Sequence, residues 1–294
     1  MALPLVVGVD GSDACLLAVD WAVDEAARHD LPLRLVHASL WERFEGAAPS
    51  TDPERPLEQV LAQRIVAAAA DRAERRNPDV KVTTDIIPED PAAALLHEGD
   101  GAFALVTGSH GRGLLKEMFL GSVGLTVAAR AHGPVVVVRG DRAGLAGRHG
   151  RILLGLSDAE IGAEAMRFAF HEADVRGCAL DVVRTGRRTA SGAGGERVPA
   201  DEQAGADPSA VPGASLDDLI AEHPRVRTHR TVIQGTAGKV LVDRSAAADL
   251  VIIGTRRGTG RFGLPLGQPG HTLLRHAQCP VAVVPQRPGA TASA

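Results

Sequence analysis

The sequence predicts an α/β protein of two tandem, doubly wound domains, each built on a five-stranded, mainly parallel sheet flanked by helices. Three observations carry that expectation. The chain repeats itself once, short apolar runs alternate with longer segments of helical periodicity, and its 294 residues suit two domains of ordinary size.

The repeat is read first. Leu5 to Val9 (LVVGV), followed by an acidic stretch bearing Trp21, recurs as Ile152 to Leu156 (ILLGL) followed by a stretch bearing Phe168. Gly8 and Gly155, like Trp21 and Phe168, stand 147 residues apart. Ala104 to Gly108 (ALVTG) matches Leu250 to Gly254 (LVIIG), and Gly121 matches Gly267 at an offset of 146, so the register barely drifts. Each half closes on a proline and a valine-rich run, Pro134 to Val138 and Pro280 to Val284. The domains are therefore expected at 1–140 and 151–286, joined by a Gly- and Arg-rich linker over 141–150.

In the first half, Leu16, Val19, Val23 and Ala26 mark one helical stripe, and Leu57, Leu61, Ile65 and Ala68 mark another. Strands are expected at Leu5 to Val9, Leu33 to Val36, Val80 to Ile87, Ala104 to Thr107 and Val135 to Val138. Near-continuous apolar runs belong to strands covered on both faces, as in parallel sheets with helices on each side. In the second half, Thr185 to Leu216 is rich in Gly, Ala, Ser and Pro and reads as a loop; its counterpart, Trp41 to Pro56, is shorter. The charged run Arg72 to Arg76 reads as the solvated face of a helix.

Composition narrows the function classes. A hydrophobic fraction of 45% and a charged fraction of 23% are those of globular proteins, and a net charge of -4 supplies no general attraction to nucleic acid or to an anionic membrane. Cys15, Cys178 and Cys279 lie far apart without CxxC spacing and read as small core residues, which suits a reducing cytoplasm. The start, MALPLVVGVDGSD, has no basic region before an apolar run, and no apolar run reaches membrane length. A cytoplasmic protein without nucleic-acid or membrane partners is expected.

Ligands of open parallel sheets collect beyond the carboxyl ends of the strands. There the chain places Asp10 after the first strand, the loop Gly108 to Gly113 (GSHGRG) after the fourth, and Gly121, Ser122 and Val123 at the start of the last helix. Glycine lets backbone N–H groups approach an anion, and a helix start supplies unpaired donors with partial positive charge. Gly121 and Ser122 would hold phosphates through main-chain N–H groups and the Ser122 hydroxyl, while Asp10 suits a ribose hydroxyl or an adenine amine. Each residue alone has a plain structural reading as turn or cap. Their joint spacing carries the functional one.

That spacing, Gly108-x2-Gly111-x9-Gly121-Ser122, resembles in full the signature of the universal stress protein family. The resemblance extends over VGVDGS ending at Ser12, LVHA ending at Ala38, and LGSV ending at Val123, and it covers most of both halves. It implies an ATP-binding, regulatory stress-response protein rather than an enzyme. Asp10 and the main chain at Ala38 would hold the nucleoside; Thr107, Gly108, His110, Gly111, Gly121, Ser122 and Val123 would hold the triphosphate. A divalent cation, magnesium or manganese, would accompany ATP, although no metal-ligand spacing of its own occurs in the chain. The resemblance also implies antiparallel pairing of the last strands of the two halves into an internal pseudo-dimer, with a homodimer as a further possibility.

The second half departs from the signature: Ser157 stands for Asp10, Arg257 for the second glycine and Gln268 for Ser122. Gly258 to Gly263 fits GxGxxG, but the acidic residue expected about 20 positions on in dinucleotide folds is missing. No GxxxxGK[ST] occurs either. His110, in a polar loop, reads as a hydrogen-bonding residue rather than a general base. Two other readings stand beside ATP-dependent regulation: a nucleotide-independent interaction module of the same fold, and a slow ATPase or autophosphorylating protein.

Overall fold

The computed structural model describes residues 2–38, 40, 55–109, 121–156, 162–186, 215–255 and 266–286. In the amino-terminal lobe the order is β1 (Leu5–Gly8), α1 (Asp13–His29), β2 (Leu33–Ala38), α2 (Arg55–Arg76), β3 (Val82–Ile87), α3 (Pro91–Gly99), β4 (Ala104–Gly108), α4 (Ser122–Arg130) and β5 (Val135–Val138). A single turn, α5 (Arg142–Leu145), follows within the stretch read as linker. The carboxy-terminal lobe comprises β6 (Arg151–Leu156), α6 (Ala163–Arg176), β7 (Ala179–Gly186), α7 (Leu216–Glu222), β8 (Thr228–Gln234), α8 (Ala237–Ser245), β9 (Leu250–Thr255), α9 (Gly267–His276) and β10 (Val281–Pro285). The segment read as a loop between Thr185 and Leu216 lies largely outside the described residues, as does most of its counterpart from Trp41 to Pro56.

The described strands form one ten-stranded sheet in the order β3-β2-β1-β4-β5-β10-β9-β6-β7-β8. Pairings inside each lobe are parallel. Only the central seam is antiparallel, with Val137 opposite Val281, Val136 opposite Ala282 and Val135 opposite Val283. The apolar runs explain this layout, because alternate residues of each strand enter cores on opposite faces. Leu5 and Val7 point to one core and Val6 to the other, and both cores continue across the seam. Arg139, just past β5, closes the joint: its Nε donates at 2.8 Å to the Ala277 carbonyl, and its Nη1 donates to that of Leu274. The guanidinium thus caps carbonyls at the end of α9 that no helical N–H can reach.

Three sequence expectations shift. The third strand begins at Val82 rather than Val80. The buried stripe of α2 is Ala62, Ile65, Val66, Ala69 and Ala73, whereas Leu61 is 44% exposed. Small alanines let α2 lie close on α1, so backbone proximity rather than side-chain size chooses the buried face. The run at Arg72 is not simply solvated. Arg72 grips Asp20 through two bonds of 2.7 and 2.5 Å, and Arg76 grips Asp24 through bonds of 2.7 and 2.6 Å, fastening α2 to α1 by forked, charge-assisted pairs. No helix among the described residues is long and apolar enough to cross a membrane.

Candidate functional site

At the carboxyl edge of the amino-terminal sheet, β1 ends at Gly8, and Val9 still bonds to β2 through its N–H on the Val36 carbonyl at 2.9 Å. Asp10 follows, half-buried. Its Oδ1 accepts from the Ser12 N–H at 2.9 Å and from the Ser12 hydroxyl at 2.6 Å. Ser12 in turn accepts from the Cys15 N–H at 3.2 Å and is the N-cap of α1. One carboxylate oxygen therefore shapes the turn, with Gly11 at a φ of 77° making the reversal possible. No backbone or hydroxyl donor among the described residues reaches the other, Oδ2, and the Cys15 thiol lies near the carboxylate. His37 donates from Nδ1 to the Val9 carbonyl at 2.7 Å, tying β2 to the approach of Asp10. Gly8 pairs with Val36, and continuing that register brings Asp10 level with Ala38, the last residue of β2.

Thr107 and Gly108 end β4. A Cβ on Gly108 would lie 2.7 Å from both the carbonyl carbon and the oxygen of Ala14 and 2.9 Å from the Cys15 nitrogen. The first turn of α1 therefore lies directly on β4, and this packing accounts for Gly108 being a glycine without any ligand. Cys15, on the same turn, is a core residue: burial pushes its thiol above the ordinary value, so it offers no reactive thiolate. His110 and Gly111 lie outside the described residues.

Helix α4 opens on Gly121, whose N–H donates to the Ser109 carbonyl at 3.0 Å. Gly121 is thus a shaping residue and not the free donor that the sequence suggested. It is the N-cap, and among the described residues no side chain caps the helix. The first-turn donors of Ser122, Val123 and Gly124 are left without intrahelical partners. Gly124, which sequence reasoning passed over, brings that turn against the strand: a Cβ there would sit 3.3 Å from the Thr107 hydroxyl and 3.6 Å from the Gly108 carbonyl. The Thr107 hydroxyl is buried and has no hydrogen-bond partner among the described residues. Together these groups make a small polar recess, with an uncapped helix start, a hydroxyl and one carboxylate oxygen at the ends of neighbouring strands.

The carboxy-terminal lobe repeats the scaffold but not the recess. Gly8 and Gly155 both exist because a helix leucine lies against them: an added Cβ would meet Leu95 at 2.7 Å in one lobe and Leu241 at 2.6 Å in the other. Ile253 occupies the position of Thr107. An added Cβ on Gly270, the counterpart of Gly124, would meet Ile253 at 3.4 Å and Leu266 at 3.3 Å. Both are buried, so apolar side chains fill the place of the hydroxyl. Gly267 takes a φ of 60°, and α9 starts at that residue instead of after it. At the start of α6, the Gln286 amide, turned so that its oxygen faces the helix, accepts from the N–H of Gly162 and, at 3.3 Å, from that of Ala163. The donors that an anion would need there are taken from inside the chain. Ser157, Arg257 and Gly258 lie outside the described residues.

A family model described as the universal stress protein family matches residues 1–139 and again 149–285. A universal stress protein of Mycobacterium tuberculosis, Rv2005c, is 30% identical over 308 residues, covering 96% of this chain and 97% of its own length. A second from that organism, Rv2624c, is 30% identical over 282 residues, covering 95% of both chains. Among solved structures, a universal stress protein from Archaeoglobus fulgidus superposes with a TM-score of 0.70 at 15% identity, over 98% of this chain and all of that one, a likeness of fold.

Proposed function

The chain belongs to the universal stress protein family, and from that premise we propose that it is a regulatory, stress-response nucleotide-binding protein whose amino-terminal lobe holds one ATP. The observation that carries this reading is the uncapped start of α4 set against the buried, unpartnered Thr107 hydroxyl. Buried polar groups in folded proteins normally have partners, and an uncapped helix start favours an anion. In this reading the N–H groups of Ser122, Val123 and Gly124 and the Ser122 hydroxyl hold phosphate oxygens. The second oxygen of Asp10 accepts from the ribose, and the main chain at Ala38 faces the base. Gly108 and Gly121 fix the backbone around them, and His110 and Gly111 would add to the phosphate contacts by the family resemblance.

Among the described residues no group of three metal-ligating side chains lies at this recess. A magnesium or manganese ion would therefore be carried in largely by the phosphates. The chain's own groups bind and orient; among the described residues none is placed as a base for hydrolysis, and the activity we propose is binding. The apolar filling at Ile253 and Leu266 supports one nucleotide per chain. The antiparallel seam holds the lobes as an internal pseudo-dimer, with a homodimer as its larger form, and the free cysteines suit the cytoplasm.

Calorimetric titration with ATP and magnesium tests the proposal, together with mass spectrometry of any nucleotide that co-purifies. Saturation near one equivalent supports it. No heat and no thermal shift at millimolar ATP would leave the nucleotide-independent interaction module as the better reading.

A further inference from the structure

The two lobes bury a cluster of charge where α1 meets α6. Glu25 and Glu172 are equivalent positions of the repeat, and so are His29 and Arg176; each pair stands 147 residues apart. The side chains of all four are at most 7% exposed. Arg176 reaches both lobes, with Nη2 at 2.6 Å from Glu25 and Nε at 3.1 Å from Glu172. His29 mirrors it, with Nε2 at 3.1 Å from Glu172 and 3.6 Å from Glu25. Two carboxylates buried side by side repel unless each has a cation, and the repeat supplies one cation from each half. An arginine at both positions would make the cluster indifferent to pH. This chain has histidine at one of them.

We propose that His29 is a titratable pin between the lobes, which holds α1 to α6 while its ring is protonated and releases that contact in alkaline solution. The surroundings are consistent. From α1, Glu25 faces the ring, with Arg28 on the far oxygen of Glu25 at 2.8 Å. From α6 come Glu172, Arg176 and the ring of His171 at 5.2 Å; the Phe103 ring closes the site at 5.0 Å. Farther out, His223 and Asp174 act on His171. Burial lowers His171, which is neutral and does not compete. Burial would lower His29 too, but the adjacent Glu172 and Glu25 carboxylates outweigh it and raise the imidazole to about 9. A raised histidine contributes stability that is complete below about 6.5, its unfolded value, and is lost as pH rises through about 9.

Glu25, His29 and Glu172 also bring three ligand atoms within 4.8 Å of one another. Arg176 already bonds both carboxylates and Arg28 bonds Glu25, however, so the two negative charges are met by cations of the chain without a divalent ion. The chain has no tyrosine; its three thiols, raised by burial in the folded chain, also cost stability as pH rises through about 8.5, a loss that comparison with a His29 variant cancels.

The test uses the full chain, with and without His29→Arg, in denaturant titrations between pH 7 and 10, and amide exchange of α1 and α6 over the same range. The folding equilibrium of the unsubstituted chain should fall on the order of a hundredfold more than that of the variant, which keeps the cation and loses the titration. Exchange in the last turns of α1 and α6 should quicken in the unsubstituted chain alone. Equal pH slopes in both proteins overturn the proposal. Should His29→Arg not fold, the imidazole of His29 is followed by NMR in the unsubstituted chain, its resonance identified by its loss in His29→Gln: a midpoint near 9 supports the pin, and one near 6.5 overturns it. Stabilisation by equimolar zinc that depends on His29 also overturns it, in favour of a metal site.

Discussion

Gly108, at the end of β4, and Ala14, in the first turn of α1, approach so closely that a Cβ on the glycine would lie 2.7 Å from the Ala14 carbonyl. A signature glycine is thereby explained by packing, and through that packing the end of β4 is coupled to the turn that holds Asp10. Gly108→Ala should therefore act without any nucleotide present. The atoms it meets are backbone and cannot rotate away, so a loss of about 1–3 kcal/mol is expected in urea unfolding of the nucleotide-free protein. A variant as stable as the parent contradicts the packing account.

Asp10 divides its two oxygens between the Ser12 turn and the recess. Asp10→Asn keeps an acceptor for Ser12 but puts an amide in place of the second oxygen. Stability should stay within about 0.5 kcal/mol. ATP affinity measured by calorimetry should drop on the order of tenfold or more, the loss of one charged acceptor. Unchanged affinity removes Asp10 from the site.

Thr107→Val replaces a buried hydroxyl without a described partner by a methyl group of similar size. The nucleotide-free protein should unfold no more easily, and a gain of up to about 1 kcal/mol is expected, since an unsatisfied polar group is relieved. ATP binding should weaken in the same variant. A clear loss of nucleotide-free stability would mean that the hydroxyl already has a partner.

Arg139 crosses from β5 to the end of α9, and burial lowers its pKa without depriving it of charge. Arg139→Ala leaves the carbonyls of Leu274 and Ala277 without that donor. A loss of about 1.5–3 kcal/mol is expected, by the worth of hydrogen bonds to a charged group. Arg139→Lys should recover only part of it, because one ammonium cannot reproduce the planar fork. Hydrogen exchange should locate the damage at α9 and the seam.

Much of the fold was legible because burial on both faces writes itself into a strand as an uninterrupted apolar run: Val135 to Val138 could hardly be anything else. The duplication was equally plain, since Gly8 and Gly155 each need the same close approach of a helix leucine. The stripe of α2 was misread because leucine outranks alanine in hydrophobicity, although alanine is what close helix packing selects. At the candidate site, Asp10 was expected from its place after the first strand, Ser122 from the glycine spacing and Thr107 from the family resemblance. Gly124 was missed, although its signal was present: a glycine inside a helix start, repeated at Gly270.

The sequence by itself determined the element types, the twofold repeat and the family, because these depend on local periodicity and on residues at fixed separations along the chain. Tertiary structure alone decided which glycines serve packing, which first-turn donors are already taken, and that Glu25, His29, Glu172 and Arg176 meet between the lobes. Those outcomes depend on distances between segments far apart in the chain, and hydrogen bonding and desolvation change over a few ångströms that no spacing along one strand or helix records.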